Sequence, residues 1–349
     1  MLSAVLQKVC GAKLIDYLRP RFFDPLQIED ARWEVCPRGI NAGGWGLSMT
    51  TESVAQLGQL YLQRGEWNGR QLLPKQWVEE ATTFKIQQPP GTNGTSASAT
   101  VAQLRETSDW HQGYCYQFWR SRHRSFRGDG AFGQFCLVLP EHDAVIVMTS
   151  LTADMQGLLN LAWEHLLPAM HDKPLRENAA AASLLSRELA ALALPIPDGA
   201  PTSANAARVT GKRFAIDPNS LRASSVSMRF EKNTCVFELQ SENTAHRVNC
   251  GIGSWVDGVS SMPGTPPEFT ELLGRSSGPQ YPIKVAAAGA WEDESTFEMR
   301  LRFYETPHYD TVTCRFDGER VQIQFMNNIT ALSGGAHAET RPILEGRLS

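Results

Sequence analysis

Three prolines and a glycine within seven residues, Pro195-Ile-Pro-Asp-Gly-Ala-Pro201, divide this chain into two stretches built on different plans. Proline removes a backbone donor and clashes with the preceding helical turn, so neither a helix nor an inner strand runs through such a cluster. Upstream, apolar residues recur at helical spacing around a few uniformly apolar runs. Downstream, they alternate in short segments bounded by turn residues. A length of 349 residues gives room for two cores, since a single core stops growing near ~250–300 residues.

In the upstream stretch, Leu2, Val5, Leu6 and Val9 fall on one helical face and Gly11 stops the helix; a second short helix covers Leu14 to Leu18. The glycines of Asn41-Ala-Gly-Gly-Trp-Gly-Leu-Ser48 permit tight turns. A helix capped at Thr50 or Thr51 follows, burying Val54, Leu57 and Tyr61 and ending at Gly65. Pro74 opens another helix through about Thr82, and Gln87 to Thr100 reads as a loop. Past Gly113 the aromatics Tyr114, Tyr116, Phe118 and Trp119 predict a strand. Phe135 to Leu139 and Ala144 to Met148, joined by a turn at Pro140-Glu-His-Asp143, are apolar at nearly every position, which predicts strands covered by helices on both faces. A helix from Met155 to about Leu167 supplies part of that cover.

An Ala- and Leu-rich helical linker spans about Pro174 to Leu194, and the breaker cluster marks the boundary. Beyond it, the segments Ser225 to Phe230, Thr234 to Leu239, Ala245 to Asn249, Ile283 to Ala287, Thr296 to Tyr304, Thr311 to Phe316 and Arg320 to Phe325 predict an antiparallel meander closing into a small barrel or sandwich. Trp255, Trp291, Phe303, Tyr304 and Tyr309 either line a pocket in it or form its core.

Composition narrows the partners. With 33 basic against 37 acidic residues, a net charge of -4 offers no general attraction to phosphate backbones, so nucleic acid is excluded as a partner. Seven scattered cysteines without a C-x-x-C pair argue against a disulfide framework or zinc knuckle and suit a reducing, cytoplasmic setting. No run approaches the ~20 apolar residues of a membrane span, and the N-terminus lacks the basic start of a signal peptide. His165 and His171 are separated by Pro168 and have no completing ligands, so neither a metal nor another cofactor is expected.

The block from Asn41 through Gly-Leu-Ser-Met-Thr-Thr-Glu-Ser-Val-Ala-Gln-Leu-Gly-Gln-Leu-Tyr-Leu-Gln-Arg-Gly-Glu-Trp-Asn-Gly-Arg-Gln-Leu-Leu to Pro74, followed by Gly113-Tyr-Cys-Tyr-Gln-Phe-Trp119 and Phe126-Arg-Gly-Asp-Gly-Ala-Phe-Gly-Gln134, resembles the serine β-lactamase-related hydrolases. That group includes class C β-lactamases, penicillin-binding carboxypeptidases and related esterases. The resemblance implies an α+β chain. Residues 1–168 would be the C-terminal part of an α/β/α β-lactamase-like (transpeptidase-type) domain with an antiparallel sheet. Beyond the resemblance, which ends at about Pro168, the residue pattern predicts a helical linker at 169–204 and a β-barrel or lipocalin-like accessory domain at 205–349. The resemblance also implies acyl transfer on an ester, amide or β-lactam through the Ser of S-x-x-K, with that Lys and the Tyr of Y-x-N moving protons.

No Ser here has Lys three residues later, and no Tyr has Asn two residues later. Ser203-Ala-Asn205 and Ser241-Glu-Asn243 fit the looser S-x-N form but follow the third motif instead of preceding it. The resemblance therefore implies a chain that lacks the nucleophile, its base and the early strands, and that is inactive alone. A missing N-terminal half would complete it for a small-molecule or peptide substrate. The alternative is a non-catalytic ligand-binding protein on the same scaffold.

At the third-motif position, usually Lys-Thr-Gly or His-x-Gly, stand Asp129, Gly130 and Ala131. The Phe132 N–H would point at an oxyanion, and Asp129 would repel a substrate carboxylate, favouring neutral esters or amides. Alternatively Gly128, Gly130 and Gly133 form a tight bend capped by Asp129. Gly274-Arg-Ser-Ser-Gly278 matches G-x-S-x-G but lies among prolines, as a loop. Arg120, Arg122, Arg124 and Arg127 would bind an anion or form a solvated hairpin tip.

Overall fold

The computed structural model describes residues 1–92, 95–242, 244–262, 283–332 and 339–349, with backbone only at 331 and 332. Met1–Asn178 and Ala179–Ser349 form two compact units.

The first unit starts with helices α1 (Leu2–Cys10) and α2 (Leu14–Leu18), followed by the short pair β1 (Arg32–Trp33) and β2 (Leu47–Ser48). In α1 the apolar stripe read from the sequence stays in solvent, with Leu2 78% and Val9 77% exposed. Helix α3 (Thr51–Leu62) is capped by the Thr50 hydroxyl, which accepts from the Ser53 N–H at 3.2 Å. It ends before Gly65, whose φ of 84° and tight seat against the Leu73 carbonyl exclude a side chain. The hairpin β3 (Glu66–Trp67) and β4 (Arg70–Gln71) leads to α4 (Lys75–Thr82), opened by Pro74 as expected, and then to α5 (Val101–Thr107).

A four-stranded antiparallel sheet follows, in the order β5 (Trp119–Arg120), β6 (Phe126–Gly130), β7 (Gln134–Leu139), β8 (Ala144–Met148). Alternation along β7 divides its residues between two helical layers. Phe135, Leu137 and Leu139 pack with Leu159, Ala162 and Trp163 of α6 (Met155–Leu161) and its continuation. Cys136 faces α3, where Gly58 lets the helix come close: a Cβ there would stand 2.7 Å from Cys136 Sγ and 2.6 Å from a Val145 methyl. Strand β7 is therefore buried from Phe135 to Leu139, as its uniform apolarity predicts, whereas β8 is half-buried throughout because among the described residues it pairs with β7 alone.

The second unit begins with α7 (Ala179–Ala191), exposed along its length, and the residues of the proline cluster, where Ala200 bridges to Trp291. After α8 (Ala204–Val209) come β9 (Arg213–Ile216), β10 (Ala223–Glu231), β11 (Thr234–Ser241), β12 (Thr244–Ile252), β13 (Val256–Ser260), β14 (Ile283–Trp291), β15 (Thr296–Phe303), β16 (His308–Asp317), β17 (Arg320–Asn327), α9 (Asn328–Leu332) and β18 (Leu344–Leu348). The order β12-β11-β10-β9-β18-β17-β16-β15-β14-β13 closes where β12 meets β14, giving a nine-strand barrel with β13 on the remaining edge of β14. The predicted meander is present; β9, β13 and β18 are additional to it.

Alternate residues point inward. Trp291 anchors an aromatic cluster with ring centroids 5.3 Å from Phe297, 5.2 Å from Phe230 and 5.9 Å from Phe316. Burial of each such ring stabilises the barrel by ~1.5–3 kcal/mol. No helix among the described residues is long and apolar enough to cross a membrane.

Candidate functional site: the β6–β7 hairpin

Strands β6 and β7 place Asp129 opposite Phe135 and Gly130 opposite Gln134, so Ala131, Phe132 and Gly133 form the turn between them. Phe132 takes the left-handed conformation (φ 66°), as does Gly133 (φ 87°). A Cβ at Gly133 would meet Ser150 Oγ at 2.4 Å, so the turn has room only for glycine there. The Phe132 carbonyl accepts from the Thr152 N–H at 3.1 Å and lies 2.9 Å from the Ser150 hydroxyl, which fixes the turn against the segment after β8.

Arg127 and Asp129 are two residues apart on one strand, so they share a face. The Arg127 side chain is fully buried and the Asp129 side chain nearly so, with Nη2 and Nε of Arg127 at 2.8 and 2.9 Å from Asp129 Oδ2. Nη1 of Arg127 donates to Ser121 Oγ at 2.7 Å and to the Asp109 carbonyl at 3.2 Å. Its guanidinium carbon stands 4.7 Å from the Trp110 ring centroid. Burial pushes the Asp129 carboxyl up from its ordinary value, and Arg127 offsets part of that rise.

A second carboxylate lies behind this pair. Asp109 is completely buried in a turn before β5. It accepts from the Arg122 N–H at 2.8 Å, Arg122 Nε at 3.1 Å, Gln156 Nε2 at 2.8 Å and Trp163 Nε1 at 3.0 Å. Burial alone would raise its carboxyl. The hydrogen bonds from Gln156, Trp163 and Arg122, with the Arg122 charge, outweigh burial and hold it below the usual value.

The predicted site residues thus separate. Gly130, Ala131 and Phe132 stand at the hairpin end, while the Asp129 carboxylate is turned inward and engaged. The anticipated repulsion of a substrate carboxylate has no exposed charge behind it. The four arginines are likewise engaged: Arg127 with Asp129, Arg122 with Asp109, exposed Arg124 with Glu141 at 2.8 Å, and Arg120 with the Thr82 carbonyl at 3.3 Å. Alternation places Arg127 beside Asp129, a pairing that the reading of Arg127 as one of four clustered arginines and of Asp129 as a free charge or bend cap did not draw. Asp109 and its partners, 47 and 54 residues away in Gln156 and Trp163, left no alternation signal.

Elsewhere, Ser203 caps α8 and donates to the Glu294 carbonyl at 2.6 Å, and Ser241 donates to the Leu221 carbonyl at 2.7 Å. Asn243 and the Gly274–Gly278 string lie outside the described residues. Of the barrel aromatics, Trp291 and Phe303 are core, Tyr304 is exposed, and Trp255 and Tyr309 flank Arg302. Among the described residues, no group of three His, Cys, Asp or Glu side chains is arranged to hold a metal.

No protein-family model and no curated protein matches the chain. Among solved structures it is similar to a protein described as a 6-aminohexanoate-dimer hydrolase from Bacillus anthracis, with 18% identity and a TM-score of 0.37 over 50% of this chain and 43% of that one. It is also similar to an octameric penicillin-binding protein homologue from Pyrococcus abyssi, with 12% identity and a TM-score of 0.34 over 99% of this chain and 63% of that one. A fatty acid-binding protein from Drosophila melanogaster brain tissue is similar over 40% of this chain and 98% of its own, with 9% identity and a TM-score of 0.27. The chain spans less than two thirds of the length of the first two.

Proposed function

We propose that residues 1–168 are the third-motif wall of a β-lactamase-related serine hydrolase, with Gly130, Ala131 and Phe132 at the substrate-facing end of β6, and that this chain forms no acyl-enzyme alone. The carrying observation is the hairpin Phe126–Gln134 in an antiparallel sheet between α3 and α6, in the chain order that the sequence resemblance implies. Two further features support a scaffold that a second polypeptide completes: the outer edge of β8 has no strand beside it among the described residues, and the apolar stripe of α1 is exposed. A completing chain would bring the Ser and Lys, and the substrate would be an ester, amide or β-lactam.

The test is turnover of a chromogenic ester and a β-lactam by the chain alone and after mixing with a polypeptide carrying S-x-x-K and Y-x-N. Background rates alone and serine-dependent turnover in the mixture are expected. Serine-dependent turnover by the chain alone would overturn the proposal. Saturable ligand binding to the isolated chain, with no gain on mixing, would favour the non-catalytic binding reading, which the absence of S-x-x-K from the sequence also supports.

A further inference from the structure

The outer wall of the barrel carries a charge that has no counter-charge among the described residues. Arg302 of β15 lies opposite Tyr309 on one side and Ala286 on the other. Its guanidinium carbon is 5.0 Å from the Tyr309 ring centroid and 5.7 Å from that of Trp255. Nε is buried without an acceptor, and among the described residues the Arg302 side chain has no hydrogen-bond or ion-pair partner beyond its two ring contacts. Ring faces attract a cation but accept no bond in the guanidinium plane, so they leave the Nε–H without an acceptor.

The surroundings sharpen that imbalance. Arg300, the next outward residue on the strand, adds a like charge and is itself paired with Glu298 at 3.1 Å. Burial, then Arg300, pulls the Arg302 guanidinium below its ordinary value. Asp257, in the same row beyond Ala286, makes no ion pair with it. The Trp255 ring is pinned by its own N–H, which donates to the Leu194 carbonyl at 2.8 Å. Ala286 has only a methyl, so the floor beside the guanidinium is low.

We propose that Arg302, held between Trp255 and Tyr309, anchors an oxyanion-binding site that takes a carboxylate or phosphoryl group in the plane of its guanidinium. A planar, ring-clamped fork pays little ordering entropy when two parallel N–H···O bonds form, and a compact ammonium cannot reproduce that geometry. The site is independent of the hydrolase reading.

The experiment titrates the full chain with inorganic phosphate and, separately, acetate, at constant ionic strength set with chloride. The readouts are the thermal unfolding midpoint and the arginine Nε–H NMR signals. The expected result is a saturable rise with at least one anion, a shift of the signal that disappears in Arg302→Lys, and about tenfold weaker binding in both Arg302→Gln and Arg302→Lys. Arg320→Gln, at an exposed arginine of the outer wall, should respond as wild type. The anion that saturates distinguishes a phosphoryl from a carboxylate ligand. Failure of both anions to saturate, or an unchanged response in Arg302→Gln, overturns the proposal. If Arg302→Gln fails to fold, the wild-type Nε–H titration decides alone: an unmoved Arg302 signal overturns it.

Discussion

Nη2 of Arg127 lies 2.8 Å from Oδ2 of Asp129, two residues along the same strand, with the arginine wholly withdrawn from water. The negative charge beside the hairpin end is thereby cancelled from within. The hairpin end at Gly130 and Ala131 therefore presents backbone and small side chains, with the Asp129 carboxylate turned inward.

Asp129→Asn should lower the stability of the first unit by about 3–5 kcal/mol, because it leaves the Arg127 guanidinium buried without its counter-charge. The double variant Arg127→Met/Asp129→Leu should lose less than Asp129→Asn. Urea unfolding of the full chain measures both, and a loss below about 1 kcal/mol in Asp129→Asn would refute a buried pair.

Asp109 ties stability to acidity. Its folded carboxyl sits below the ordinary value of ~3.9, so its contribution is complete above that pH and disappears as the pH falls through the folded value. Asp129, raised by burial, works in the opposite sense: it favours the folded state at acid pH and loses that contribution as the pH rises through its folded value. Asp109→Asn should therefore be less stable than wild type near neutrality and show a flatter acid limb below about pH 4. Urea midpoints across that range check it; an unchanged acid limb contradicts the assignment.

Gly58→Ala should destabilise by about 1–3 kcal/mol despite alanine's better helix propensity, since the new methyl would stand 2.6 Å from Val145 and 2.7 Å from Cys136 Sγ. Adding Val145→Ala should cost less than the sum of the two single changes. Additive losses in thermal unfolding would place the strain elsewhere.

Thiol reactivity should follow burial. Cys10 is exposed and Cys36 partly so, while Cys115, Cys136, Cys235, Cys250 and Cys314 are buried. Burial pushes the Cys136 thiol up to about 12, and those of Cys235, Cys250 and Cys314 upward as well. A thiol reagent at neutral pH should label Cys10 first and reach the buried five only after denaturant. Rapid native labelling of Cys136 would mean that α3 lifts from the sheet.

Local pattern made much of this architecture legible. Uniform apolarity at Phe135 to Leu139 announced a strand covered on both faces, and it is. The same pattern at Ala144 to Met148 overstated burial, because covering an outer strand depends on neighbours that residue spacing does not encode. Strands β9, β13 and β18 leave no clear pattern in the sequence for another reason: Arg213–Ile216 is short, and the other two carry Gly258 and Gly346 where an alternating pattern would show a side chain. At the hairpin, alternation sets Arg127 beside Asp129, yet the sequence reading took the arginine as part of a cluster because burial of the pair depends on Trp110 and Ser121 packed over it. Asp109 became visible only once Gln156 and Trp163 were folded over it.

The barrel's topology also sets a timetable for making it. Strand β9 lies between β10 and β18, and partners at this seam, such as Ser349 Oγ and the Arg213 carbonyl, are 136 residues apart. During synthesis β10 can pair with β11, and β15 with β16, soon after each emerges. One side of β9 must wait for β18, exposing its donors and acceptors throughout the translation of the strands between. Contacts this distant in sequence are the slow ones in folding. The growing chain thus carries an open β edge for most of the time that its second unit is being made.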